Sequence, residues 1–312
     1  MQIALAGGVG GAKLAFGLAG IRGADELAII VNTGDDFDHL GLRICPDIDT
    51  VIYTLAGIAN PETGWGIRNE TWSFMEALER QNGETWFRLG DRDLETHITR
   101  TNRLAEGATL STVIAEIAEA LGVSIRILPA SDDPIRTEVV TPDGILPFQE
   151  YFVRHACTPP VEGFLFAGAG TASPAPGVIE AFRADSLDSI VICPSNPYVS
   201  IGPVLAVDGI RAEIQNRTVP CIAVSPIVGG AALKGPLAKM MVELGTDPSP
   251  MSVAECYRGL LDGLVIDSTD ADCVLLLEES GLAVLTANIV MSCDDDRRRL
   301  ASEVTAFARS LA

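Results

Sequence analysis

An apolar run at the start of the chain, Ile3 to Ala6, is followed at once by Gly7-Gly8-Val9-Gly10-Gly11-Ala12-Lys13 and the helix-like segment Ala12 to Ala19. Four closely spaced glycines between a buried strand and a helix narrow the possible folds more than any other stretch. The pattern reads as strand, phosphate-binding turn, helix. Glycine permits positive φ and close approach of the backbone to a ligand, and the first N–H groups of a helix lack internal partners and face an anion. Gly8, Gly10 and Gly11 are therefore candidate phosphate contacts, and Lys13 adds a point charge. The match to known loops is partial. A dinucleotide fingerprint starting at Gly8 needs glycine where Lys13 stands, and a P-loop needs Ser or Thr at Leu14. A plain packing turn is the alternative.

The second strand, Leu27 to Val31, ends in Asn32-Thr33-Gly34-Asp35-Asp36. With the first strand and helix it makes a βαβ unit, whose ligand crevice lies at the carboxyl ends of the strands. One acid there suits a ribose hydroxyl; Asp35 and Asp36 together suit a metal ion better. Solvated carboxylates in an Asx turn are the bland reading. Pro46-Asp47-Ile48-Asp49-Thr50 then opens a helix running through Ile58, with Asp47 expected to cap it and Asp49 in its first turn. Acids gathered beside a phosphate loop repel a diphosphate, at roughly 4 kcal/mol per unit-charge pair 4 Å apart in an effective dielectric of about 20. A divalent ion is needed to reverse the sign, and Mg²⁺ is the expected one.

Residues 61 to 104 differ from their surroundings. They hold all three tryptophans, in Gly64-Trp65-Gly66-Ile67-Arg68 and Trp72, and in Trp86-Phe87-Arg88-Leu89-Gly90-Asp91-Arg92-Asp93 followed by Thr96-His97. Aromatics interleaved with Arg, Asp and His suit stacking and edge hydrogen bonds to a flat polar heterocycle, which makes Trp65, Arg88 and His97 candidate contacts. A helical subdomain with internal ion pairs is the alternative. Beyond it come a helix near Ser111 to Leu121, the strand Ile125 to Leu128, and a hairpin of Arg136–Thr141 with Ile145–Val153. Short apolar strands follow at Gly163–Ala167, Ile190–Cys193, Cys221–Ser225, Leu264–Asp267 and Val284–Ala287, mostly separated by helical patterns. That alternation predicts an α/β fold, a Rossmann-like, doubly wound, mostly parallel sheet with a helical, aromatic-rich insertion and a β-hairpin. Residues 1–60 and 105–312 form the expected nucleotide-binding core, and residues 61–104 the insertion. The loops Gly168–Thr171, Pro194–Pro203 and Ser225–Gly230 follow three of those strands, where such sheets bind ligands. Ser195, Asn196, Ser200 and Ser225 are their candidate purine and phosphate contacts. The tail Asp294 to Leu311 reads as an amphipathic closing helix, with Arg297-Arg298-Arg299 on a solvated face.

A formal net charge of −20, from 22 Lys plus Arg against 42 Asp plus Glu, argues against a nucleic-acid partner. Seven scattered cysteines without a C-x-x-C pair read as reduced core thiols, and His39, His97 and His155 lack zinc-ligand spacing. No apolar run reaches membrane-span length and no signal segment precedes the first strand, so a cytoplasmic location is expected. A homodimer is expected because two-fold dimers are common.

The glycine loop, Asn32-Thr33-Gly34-Asp35-Asp36, Pro46-Asp47-Ile48-Asp49-Thr50, Gly64-Trp65-Gly66, Leu89-Gly90-Asp91-Arg92-Asp93, Leu128-Pro129-Ala130-Ser131-Asp132-Asp133, Pro194-Ser195-Asn196-Pro197 and Ser225-Pro226-Ile227 together resemble the 2-phospho-L-lactate transferase family, in order along nearly the whole chain. The resemblance implies a step in making the deazaflavin coenzyme F-420. A phospho-acid (phospholactate, phosphoenolpyruvate or phosphoglycerate) passes from a guanosine-diphospho-acid to the terminal ribityl hydroxyl of 7,8-didemethyl-8-hydroxy-5-deazariboflavin, and GMP leaves. It implies Mg²⁺ as cofactor, Asp49 and Arg88 at deazaflavin-binding positions, and Asp47 with Asp35 or Asp36 on the metal side. Gly8, Ser195, Asn196 and Ser225 fall on the nucleotide side. Asp49 is then suited to orient the hydroxyl and take its proton. Two other classes share parts of the pattern. One is a nicotinamide-dependent oxidoreductase, which the missing third glycine and the paired acids count against. The other is a non-enzymatic nucleotide-sugar-binding protein with a similar glycine loop.

Overall fold

A computed structural model describes all of residues 1–312. The chain opens with β1 (Gln2–Ala6), α1 (Gly8–Ile21) and β2 (Leu27–Val31), then a small hairpin of β3 (Phe37–His39) and β4 (Leu42–Ile44). Four helices follow: α2 (Pro46–Leu55), α3 (Ser73–Arg80), α4 (Asp93–Ala105) and α5 (Leu110–Ala120). The remaining strands are β5 (Arg126–Pro129), β6 (Arg136–Thr141), β7 (Gly144–Pro147), β8 (Gly163–Ala167), β9 (Ser189–Ile192), β10 (Cys221–Val224), the two-residue β11 (Ile227–Val228) and β12 (Ala231–Ala232), β13 (Gly263–Asp267) and β14 (Ala283–Ala287). A C-terminal helix spans Asp294–Ser310.

Seven strands form one parallel sheet in the order β14-β13-β10-β9-β1-β2-β5. Its inner strands are buried along their whole length, which is why they read as unbroken apolar runs. Successive residues serve opposite faces. Ile3, Leu5, Ala28 and Ile30 point into one core, whereas Ala4, Ala6, Ile29 and Val31 point into a second beneath α1, α2, α5 and the C-terminal helix. The chain runs from β1 outward through β2 to β5, and then from β9 outward to β14. The strand order therefore reverses between β1 and β9, the place where such sheets open a ligand crevice at their carboxyl ends.

Three expectations need correction. Gly163–Ala167 is not in the parallel sheet: β8 pairs antiparallel with β6 in a separate three-stranded sheet, β7-β6-β8. Its sequence Gly-Phe-Leu-Phe-Ala reads as a doubly buried strand, but only one face is covered, by Phe164 and Phe166, while Leu165 is exposed. Gly168–Thr171 accordingly lies away from the crevice. The second hairpin strand stops at Pro147, and residues 150–154 coil into one wide helical turn. Finally, α1 begins at Gly8 rather than Ala12, so the glycines form its first turn and not a loop before it.

Candidate functional site

A cavity of about 820 Å³ opens at the carboxyl ends of the central strands. Its floor is the first turn of α1 and the turn after β9; one wall is the first turn of α2, and residues 63, 65, 66, 86–88, 93 and 97 of the insertion close over it. Gly7 and Gly8 are required where they stand. A Cβ on Gly7 would lie 2.6 Å from Asp47 Oδ2 and 2.8 Å from Ser200 Cβ, and Gly8 has φ +65°. Gly8 N–H donates to Asp47 Oδ1 (2.7 Å), and the Asn32 side-chain amide donates to Asp47 Oδ2 (2.9 Å). Asp47 is thus tied to both strand ends and does not cap its helix. Cys45 occupies the cap position, ahead of Pro46, and its side chain makes no capping hydrogen bond to the helix. Asn32, which the sequence marks only as part of a motif, fixes the site's geometry: its Oδ1 also accepts from Gly34 N–H (2.8 Å).

The other two glycines do different work. Gly10 lines the cavity, yet a Cβ there would sit 2.2 Å from the Pro194 carbonyl oxygen, so packing alone demands glycine. Gly11 lies off the cavity and packs against Ser195 Oγ and β1. Ser195, Asn196, Ser200 and Ser225 all line the cavity. Ser195 Oγ accepts from Gly7 N–H (3.2 Å), and Asn196 Oδ1 accepts from the N–H groups of Tyr198 and Val199. Ser225 Oγ is engaged with both the N–H and the carbonyl of Ile227, so it shapes its own turn. Lys13 Nζ reaches the cavity and donates to the Met291 carbonyl (2.9 Å).

The paired acids part company. Asp35 lines the cavity beside Asp47, and both are buried. Burial raises the Asp35 carboxyl well above its usual range, and the Asp47 charge raises it further; burial pushes Asp47 up to about 6. Asp36 points elsewhere, towards the Cys45 thiol and the guanidinium groups of Arg100, Arg43 and Arg136, and burial lifts it to about 7. No three His, Cys, Asp or Glu side chains converge as a metal cage. Asp35 and Asp47 are the carboxylates that face the cavity near the glycine turn, and Asp35 Oδ1 is buried without a hydrogen-bond partner. This donor set fits a hard ion that keeps water and phosphate oxygens in its shell.

On the insertion side Asp49 is held by a residue the sequence reading missed. Arg100, completely buried, donates to both Asp49 oxygens, through NH1 to Oδ2 at 3.1 Å and through NH2 to Oδ1, and also to the Arg43 carbonyl. Burial raises the Asp49 carboxyl, and the Arg100 and His97 charges offset only part of that. Asp93, His97 and Arg100 follow one another at i, i+4 and i+7 on α4, so a single helix face delivers all three. His97 Nδ1 lies 3.7 Å from Asp49 Oδ2, and Nε2 lies 3.3 Å from Asp93 Oδ2 but out of line for a hydrogen bond. Tyr53 OH donates to the other Asp93 oxygen (2.5 Å). Trp65, 48% exposed at the mouth, leaves its ring free for a ligand, and the Arg88 guanidinium lies 4.1 Å from the centre of the Trp72 ring. Asp49, Tyr53, Trp65, Arg88, Asp93 and His97 all face the cavity that holds the glycine turn.

Residues 3–307 match the family described as 2-phospho-L-lactate transferase CofD. A phosphoenolpyruvate transferase of Streptomyces coelicolor is 41% identical over 99% of this chain and 98% of its own, and a 2-phospho-L-lactate transferase of Methanosarcina mazei is 37% identical over 97% of this chain and 99% of its own. Among solved structures, a member of the UPF0052 family from Bacillus halodurans superposes with a TM-score of 0.64 at 16% identity, covering 97% of this chain and 98% of that one, which bears on the fold alone. No helix is long and apolar enough to cross a membrane.

Proposed function

This chain belongs to the 2-phospho-L-lactate transferase CofD family, and from that premise we propose that it transfers a phospho-acid group from a guanosine-diphospho-acid to the terminal ribityl hydroxyl of 7,8-didemethyl-8-hydroxy-5-deazariboflavin, releasing GMP. The observation that carries the reading is one continuous cavity holding both a nucleotide-type floor and an aromatic, charged wall. A diphosphate donor and a flat heterocyclic acceptor can meet there at a shared phosphorus. The acceptor oxygen forms a bond to the acid-bearing phosphorus, the bond to the GMP oxygen breaks, and that oxygen leaves with the electron pair.

Phosphoryl transfer is mostly positioning and charge neutralisation. The first turn of α1 and the Ser195–Asn196 turn would seat the nucleotide phosphates, while Trp65 and Arg88 would hold the deazaflavin ring. Asp49 keeps lone pairs free after accepting from Arg100, so it can orient the ribityl hydroxyl and take its proton as the new bond forms. Neutralisation by Arg100 makes it a modest base, which suits a loose transition state in which alkoxide character develops late. Asp35 and Asp47 would hold Mg²⁺, which would supply positive charge to the donor phosphates. The enzyme would work as a homodimer on small-molecule substrates.

The test is product mass spectrometry after incubating the protein with the deazaflavin alcohol, Mg²⁺ and each of three guanylylated acids. The enolpyruvyl donor comes first, because that name is carried by relatives at 41% identity. The expected result is an acceptor adduct of one phospho-acid, with GMP in equal amount. Consumption of none of the three donors would overturn the reading.

A further inference from the structure

Only three of the 22 basic residues are lysine: Lys13, Lys234 and Lys239. Lys239 is paired with Glu243 at 2.7 Å. The other two line the cavity, and in a chain with 42 acidic residues neither forms a salt bridge. Each ammonium is bonded to one backbone carbonyl, Lys13 to Met291 and Lys234 to Thr63, both at 2.9 Å. An ammonium has three donors, so each keeps spare capacity. Their charges also repel: the Lys13 ammonium is made more acidic first by burial, then by Arg297 of the C-terminal helix and by Lys234. Two cations that line one cavity and repel each other, neither paired with a carboxylate, are a cost to the empty protein that an arriving anion removes.

The two lysines are mounted differently. Lys13 stands on α1, within the packed core. Lys234 is exposed near the tip of a strap, residues 229–235, whose ends carry left-handed glycines: Gly229 (φ 56°), Gly230 (φ 77°) and Gly235 (φ 75°). The strap is anchored at its start, where the Asp270 carboxylate accepts from Gly229 N–H. Its far end crosses to the insertion, and Gly64 permits the approach, since a Cβ there would lie 3.0 Å from Lys234 Nζ and 2.7 Å from Val9. A single hydrogen bond to a carbonyl, weaker than a charge-assisted bond to an oxyanion, holds this closure.

We propose that Lys13 and Lys234 form a two-ammonium clamp for an oxyanion of the donor, with Lys13 fixed and Lys234 delivered by the strap as it exchanges the Thr63 carbonyl for the ligand. The clamp rests on the donor being the guanosine-diphospho-acid proposed above. A donor phosphate and the carboxylate of the carried acid share the required chemistry.

Calorimetry on the full chain with Mg²⁺, using GMP, GDP, guanosine-diphospho-enolpyruvate and the deazaflavin alcohol against Lys234→Met and Lys13→Met, tests it. Lys234 is exposed, so its variant should melt at the temperature of the parent. Each variant should bind the anionic donor about 10- to 100-fold more weakly, the scale of a charge-assisted hydrogen bond, with the deazaflavin alcohol held as before. A loss already present with GDP supports the clamp and places it on a phosphate; a loss confined to the guanosine-diphospho-acid supports it and places it on the carboxylate. Unchanged donor binding in Lys234→Met, whatever Lys13→Met does, would overturn the proposal. So would an equal loss of deazaflavin binding. If the wild type binds GDP through both lysines but transfers nothing, the reaction assigned above falls while the clamp stands.

Discussion

The two sides of the cavity are built on different principles. On the core side the backbone does the positioning: β1, β2 and β9 are buried throughout, and the turn Gly7–Gly8 is placed by the sheet and fastened by Asn32 and Asp47. The insertion has only a small apolar knot, Met75 and Leu89 packed against Ile44 of β4, and it is held by carboxylates instead. Asp91 accepts from the N–H groups of Ser73 and Phe74, Glu70 from those of Arg92 and Asp93, and Asp49 from Arg100. The proposed phosphate seat thus inherits rigidity from the fold, whereas the proposed acceptor wall depends on a few charges staying paired.

Arg100→Met should break that contrast with the largest effect. It leaves the Asp49 carboxylate buried without its partner, a change that typically costs roughly 3–5 kcal/mol. Urea denaturation should register a loss of that size, and hydrogen exchange should quicken in residues 61–104 while Gln2–Ala6 stays protected. A loss below about 1 kcal/mol, the scale of an exposed ion pair, would mean the pair does not hold the wall.

Asp47→Asn comes next. Asparagine can still accept from Gly8 N–H, but its amide nitrogen then meets the Asn32 amide, so one of the two fastenings is lost together with one charge of the proposed ion shell. Turnover should fall roughly 10²- to 10³-fold, the scale of removing one fixed electrostatic group, and extra Mg²⁺ should recover part of it. Full turnover at ordinary Mg²⁺ would remove Asp47 from the mechanism.

This contrast also explains what the sequence discloses. The parallel sheet is legible because strands buried on both faces must be apolar throughout, and the glycine run because a turn between strand and helix leaves few alternatives. Gly163–Ala167 misleads for the same reason, since phenylalanines on its covered face and a leucine on its open face look alike in composition. Asp49 stands out beside its proline, but Arg100, half a hundred positions away, is joined to it only by folding. The i, i+4, i+7 spacing of Asp93, His97 and Arg100 is the one local signal that pointed there. Lys234 lies in a loop without periodicity, and its interest comes from lacking an acid partner, which no sequence displays.

Arg88→Ala sharpens the comparison from the acceptor side at a smaller scale. Its guanidinium is exposed over Trp72, and such a contact is worth about 0.5–1 kcal/mol. Deazaflavin affinity should drop a few-fold to about ten-fold once a lost ligand hydrogen bond is added, with GDP affinity unchanged. Calorimetry in which both ligands weaken together would mean that the two sides of the cavity are not separable.

The smallest effect on transfer concerns Asp36, and it tests whether adjacent acids really belong to different regions. Burial lifts Asp36 to about 7 from an ordinary 3.8, with the Cys45 hydrogen bond and the charges of Arg100, Arg43 and Arg136 pulling the other way. Between those two values the folded chain binds more proton at this site than the unfolded chain does, so this group lowers stability as pH rises through the window. Asp36→Asn has no charge to bury. It should match the parent in thermal midpoint near pH 4 and exceed it near pH 8, by roughly 2–4 °C for each kcal/mol recovered. Because Asp36 faces away from the cavity, transfer rate and Mg²⁺ dependence should stay as they were, in contrast to Asp47→Asn. A variant equally stabilised at both pH values would show that charge is not the cause. A variant that needs more Mg²⁺ would return Asp36 to the cavity and dissolve the distinction between the two neighbouring carboxylates.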